Sequence, residues 1–137
     1  MVQTEKTRAL CTAFAGALAY LLAGRLLAAG CELLPLGAAG QAFVLHCIAA
    51  PAAEEWAFRG IIQHALQPLG SRAAVLVQAV LFAVQHGGAA GILYALGMGL
   101  IFGWAAEQTD SPVPGVVLHI LNNGLVLARA LAERGMG

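Results

Sequence analysis

Five apolar runs, each closed by a short turn rich in polar residues, glycine or proline, organise this chain. The first covers residues 9 to 29, ends near Gly30 and leads into a loop around Glu32 and Pro35. The second runs from about Gln41 to Leu66, where Pro68 and Gly70 stop it. The third starts at Arg72, continues through AAVLVQAVLFAVQH and ends at the Gly87-Gly88 pair. The fourth, about Gly91 to Ala106, is glycine-rich (GILYALGMGLIFGWAA), a composition that lets helices approach closely in lipid. Glu107, Asp110, Ser111 and Pro112 form the next turn, and Pro112 or Pro114 lies in the first turn of the fifth run, PVPGVVLHILNNGLVLARALA.

Runs of this length suit membrane-spanning helices, which need about 20 apolar residues, and are too long for barrel strands. Only helices and closed barrels satisfy their backbone groups in hydrocarbon. The pattern therefore predicts an all-α fold, a polytopic membrane bundle of about five transmembrane helices, forming one domain over residues 1–137. Composition agrees, because 60% hydrophobic and 10% charged residues lie far from a soluble mixture. Seven basic and seven acidic residues leave no cationic surface for nucleic acid. Lys6 and Arg8 precede the first run as they would in a secretory signal, but that run is too long for one and more spans follow, so it reads as an uncleaved first helix. By the positive-inside rule Lys6, Arg8 and Arg72 set the N-terminus in the cytoplasm, with Arg129 and Arg134 weakly opposed. A multi-pass protein of the cell (inner) membrane is expected. Cys11, Cys31 and Cys47 lack the paired spacing of a metal knuckle or a disulfide framework and read as small hydrophobes.

Polar residues inside such runs are costly to keep, so those that remain are candidates for function. They are Glu54, Glu55, Arg59, His64, Gln78, Gln85, His86, His119, Asn122 and Asn123, with Gln41 and His46 near the start of the second run. At about 1.5 Å rise per residue, Glu54 lies about 18 Å and His86 about 21 Å from the Pro68–Arg72 side, with His119 at about 10 Å and Asn123 at about 16 Å. Three separate segments thus bring a carboxylate, two imidazoles and an amide toward the middle of the bilayer. Glu55 and Arg59 stand i,i+4, suited to an ion pair that supports the helix, while Glu54 points about 100° away and stays free for chemistry. His119 and Asn123 share the same spacing and can address one point, as can Phe82 and His86. Taken singly, each of these groups is also compatible with helix gluing or capping. His46 and His64 read as structural, and Phe58, Trp56 and Trp104 as packing or interface anchors.

The segments EEWAFRG (54–60), LFAVQH (81–86) and HILNN (119–123), in that order, resemble the E-E-x-x-x-R, F-x-x-x-H and H-x-x-x-N motifs of the CAAX-protease and bacteriocin-processing (CPBP, ABI) family of intramembrane endopeptidases, which includes the type II CAAX prenyl endopeptidases. The resemblance covers about residues 43–131, including the glycine-rich run and the proline before the last histidine. It implies that Glu54 and His86 activate a water, that His119 and Asn123 stabilise the oxyanion, and that Glu55 and Arg59 support the helix. The implied substrate is a membrane-associated protein or peptide met within the bilayer, with no nucleic acid partner. Oligomeric state carries no sequence signal.

Metal is a separate question. Glu54, His86 and His119 form a two-histidine, one-carboxylate set that could hold a catalytic zinc, but the H-E-x-x-H helix of common zinc proteases is absent. Asn123 is a poor zinc ligand and a good neutral donor, so no cofactor is expected, with zinc the alternative. Two non-protease readings stand beside this one: a proton-coupled transporter, disfavoured by the lack of inverted repeats, and a non-catalytic membrane partner such as an immunity protein.

Overall fold

The computed structural model describes residues 2–135, and side chains from 3 to 133, so the side chain of Arg134 lies outside the described residues. Five helical rods follow one another: α1 (Val2–Glu32), α2 (38–65), α3 (Ser71–Ala83), α4 (Gly88–Thr109) and α5 (Val113–Gly135), with a short 3₁₀ turn at Gln67–Leu69 between α2 and α3. Among the described residues there is no strand. The all-α membrane bundle is the observed architecture. Three helices, Gln3–Glu32, Gly88–Thr109 and Val113–Glu133, are long and apolar enough to cross a membrane. Large side chains such as Phe14, Leu22, Leu26, Leu93 and Leu125 stand exposed along the rods, as they would facing lipid.

Three local features depart from the simple pattern. α2 contains Pro51, whose ring excludes the usual hydrogen bond and crowds the carbonyl one turn earlier. The helix responds by widening into π turns on both sides, Val44–Ala49 and Trp56–Gln63, so Glu54 and Glu55 sit on the α-helical piece between them. π segments of this kind are recurrent where a helix must re-aim side chains. The third span is shorter than expected: α3 stops at Ala83, and His86 lies in the turn beyond it instead of on the helix. Gly88 adopts φ +71°, which only glycine accepts readily, and this starts α4 in a new direction. Finally, Glu107 belongs to α4 instead of the following turn. Its Oε2 accepts hydrogen bonds from Gln63 Nε2 at 3.1 Å and Gln67 Nε2 at 2.7 Å, which satisfies the carboxylate inside the helix.

Lipid tails are as apolar as leucine, so close van der Waals fit and polar ties must hold these helices together. At the α3–α4 seam a Cβ on Gly99 would stand 3.2 Å from Ala79 Cα, which fixes glycine there. The fully buried Gln78 donates to the Gly99 carbonyl at 3.0 Å, and Gln63 donates to the Gly103 carbonyl at the same distance. Phe58, also fully buried, makes edge-on contacts with Tyr20 of α1 and Phe82 of α3, with ring centroids 5.5 and 5.3 Å away. This aromatic bridge joins three helices one turn below Glu54.

Candidate functional site

Glu54, His86, His119 and Asn123 all line one cavity of about 770 Å³ between α2, α4 and α5. Its walls are mostly apolar, including Phe43, Met98, Phe102, Val126 and Leu131. Of these wall residues Phe43 lies in the N-terminal half of α2, Met98 and Phe102 on α4, and Val126 and Leu131 in the C-terminal half of α5.

Each polar side chain is held by a partner that limits what it can do. Tyr20 Oη donates to Glu54 Oε1 at 2.8 Å, which leaves Glu54 Oε2 directed at His119 Nε2, 3.8 Å away. On the other side of the same imidazole, Nδ1 is 2.9 Å from Glu55 Oε1. A carboxylate accepts only, so Nδ1 carries the proton, and the ring is fixed in orientation with Nε2 facing Glu54. His86 Nδ1 lies 3.1 Å from the carbonyl oxygen of Phe82, which likewise assigns its proton to Nδ1 and leaves Nε2 as the lone-pair nitrogen. Its ring packs on Phe82 at 4.9 Å. Asn123 Nδ2 donates one of its two hydrogens to the His46 carbonyl at 2.9 Å, and the other is not engaged by a described partner.

Glu55 and Arg59 form the expected ion pair, Oε1 to Nη1 at 3.0 Å, with both side chains fully buried. The guanidinium also lies over the Phe82 ring at 4.6 Å and reaches the Gly99 carbonyl at 3.4 Å. Sequence reasoning gave Glu55 to the arginine alone. In the fold it serves Arg59 and His119 together. The contact exists because α5 approaches α2 through Gly115, where any Cβ would collide with Glu55 Oε2. Gly115→Ala is therefore expected to displace that carboxylate, lower stability by about 1–3 kcal/mol through overpacking, and weaken any activity that depends on His119. A variant with wild-type thermal midpoint and activity would show that the approach is not tight.

Tyr20 was not among the sequence candidates. A tyrosine in an apolar run has no periodicity of its own, and the signal that could have found it is the spacing of small residues, Ala9, Ala13 and Gly16, which turns this face of α1 onto α2. Ala9 and Ala13 are buried, and Gly16 approaches Ile61 and Ile62. His46 enters only through its backbone and as a cavity wall, and Asn122 accepts a hydrogen bond from Tyr94.

Among the described residues no three His, Cys, Asp or Glu side chains are gathered as a metal ion would require. Glu54 and His119 approach each other, but one oxygen of Glu54 and one nitrogen of His119 are taken by Tyr20 and Glu55.

Residues 37–125, more than half of the chain, match the family model described as type II CAAX prenyl endopeptidase Rce1-like. No curated protein and no solved structure matches the chain.

Proposed function

The chain belongs to the type II CAAX prenyl endopeptidase Rce1-like family, a membrane-embedded peptidase family, and from that membership we propose that it hydrolyses a peptide bond of a membrane-associated protein or peptide by a metal-free mechanism. The observation that carries the reading is the convergence of Glu54, His86, His119 and Asn123 on one cavity, each oriented by a named partner. A water between Glu54 and His86 gives up a proton as its oxygen attacks the scissile carbonyl carbon. Glu54 and the unprotonated Nε2 of His86 are the groups able to take it. The carbonyl oxygen becomes an oxyanion, which accepts from the free amide hydrogen of Asn123 and from the Nε2–H of His119 in its imidazolium form. Collapse breaks the C–N bond, and the proton taken from water passes to the leaving amine. The apolar wall suits a substrate that brings a hydrocarbon segment, and the family description points to a prenyl group as one such segment.

The test is cleavage of prenylated and unmodified apolar peptides by purified protein in neutral detergent, read by mass spectrometry. Cleavage is expected to persist when a strong chelator is added. Activity abolished by chelation and restored by zinc would overturn the metal-free mechanism while leaving the peptidase intact. No cleavage of any peptide would count against the peptidase itself.

A further inference from the structure

Asn122 and Asn123 are the only asparagines in the chain, and one run of hydrogen bonds passes through both and across three helices. Tyr94 Oη on α4 donates to Asn122 Oδ1 on α5, Asn122 Nδ2 donates to Asn123 Oδ1 at 3.3 Å, and Asn123 Nδ2 donates to the His46 carbonyl of α2 at 2.9 Å. All four residues line the large cavity. A carboxamide is nearly symmetric in shape, so turning it over exchanges donor for acceptor, and only its partners decide which end is which. The His46 carbonyl sets the direction of the whole run, because a carbonyl oxygen accepts and never donates. With Asn123 reversed, its Oδ1 would face that oxygen and its Nδ2 would face Asn122 Nδ2, acceptor against acceptor and donor against donor. Asn122 is oriented in turn by giving its Nδ2 to Asn123 and taking the hydroxyl proton of Tyr94 on Oδ1.

The carbonyl is available because of Pro51. In the π turn Val44–Ala49 each bond spans five residues, and the N–H of Ala50 goes back to the Leu45 carbonyl. The donor to His46 in that register would be residue 51, which is the buried Pro51 and has no N–H. A helix carbonyl without a helical donor therefore receives the side chain of Asn123 from α5.

We propose that Asn122 and Tyr94 are positioning residues which, together with the carbonyl that Pro51 releases, hold the amide of Asn123 with its second N–H toward the place where the oxyanion forms. The proposal rests on the peptidase reading, which gives Asn123 that role. Neither residue touches the reacting atoms. Their effect is to settle beforehand an orientation that a lone asparagine would have to find in each turnover, and donors aligned in one direction polarise one another, which strengthens the last N–H of the run.

Nuclear magnetic resonance reads the arrangement in the free protein, and turnover reads its consequence. With isotopic nitrogen supplied only as asparagine, full-length protein in neutral detergent shows two side-chain NH₂ groups, told apart by Asn122→Leu. One proton of the Asn123 group is expected downfield, as a bonded amide proton, and the other where an unbonded one resonates. Pro51→Ala returns an N–H that competes for the His46 carbonyl and should move the bonded proton upfield. Tyr94→Phe keeps the ring, loses only the hydroxyl and should shift both groups. In cleavage of the prenylated peptide, kcat should fall about tenfold in Asn122→Leu and about threefold in Tyr94→Phe, the worth of one hydrogen bond that holds a donor in place, with KM unchanged. Residues that merely line the substrate's path would raise KM instead. Unchanged Asn123 protons in all three variants, a rise in KM at constant kcat, or wild-type turnover in both Asn122→Leu and Tyr94→Phe overturns the proposal. Absence of cleavage by the wild-type protein overturns the peptidase reading and the catalytic role of the run with it. The two failures are distinguishable, because the asparagine signals need no substrate.

Discussion

Glu54→Gln is expected to lower peptide cleavage by about 10²–10⁴-fold, the range that a general base contributes, with no change in the thermal midpoint of the purified protein. The separation follows from the geometry. Glutamine keeps the side-chain volume and an oxygen that can still accept from Tyr20, so the contact between α1 and α2 survives. What it loses is the ability to take a proton from water and the negative charge facing His119 Nε2. Substrate binding should be retained, because the apolar lining is unaltered. More than a tenth of wild-type turnover in this variant would mean that Glu54 is a structural acid and that His86 alone, or another group, activates the water.

The parts of this architecture that a sequence displays are those encoded locally. Apolar runs and their turn residues give the rods, and the i,i+4 spacing of Glu55 and Arg59 gives their ion pair, since both are properties of a single helix. Departures arise where neighbours overrule the local pattern. Glu107 remains helical because Gln63 on α2 and Gln67 in the 3₁₀ turn after it satisfy it across the bundle. α3 ends at Ala83 and Gly88, with its positive φ, opens α4, so His86 falls in the connecting turn, outside the helical register that its spacing from Phe82 implied. The π turns around Pro51 rotate Glu54 and Glu55 relative to an ideal helix, by an amount that no periodicity states. Tyr20 escapes the sequence for a further reason: α1 is apolar nearly all round, so only its packing on α2 says which face looks inward. The link from Glu55 to His119 is the most tertiary feature, because it needs the absence of a side chain at Gly115 on a helix 60 positions away, counting from Glu55.

That link makes stability and chemistry separable by mutation. Glu55→Gln leaves Arg59 buried without its counter-charge, and breaking a buried pair from one side costs about 3–5 kcal/mol, so folded yield should collapse along with activity. The pair is not ideally satisfied even in the native fold, since Glu55 Oε2 and Arg59 Nε lack hydrogen-bond partners among the described residues. Removing both charges therefore removes a burial cost as well as an attraction, and apolar replacements of similar volume are commonly neutral or stabilising by about 1–4 kcal/mol. Glu55→Leu with Arg59→Met should accordingly recover the folded yield and raise the thermal midpoint above that of Glu55→Gln. Activity should not return, because no carboxylate remains to hold His119 Nδ1–H and keep the ring aimed at Glu54, and the expected deficit is about 10²-fold or more, comparable to loss of an oxyanion donor. Thermal denaturation and peptide turnover of the three proteins, measured side by side in the same detergent, decide it. If the double variant is as active as wild type, Glu55 has no part in orienting His119, and if Glu55→Gln folds normally, the buried pair is not what holds this level of the bundle together.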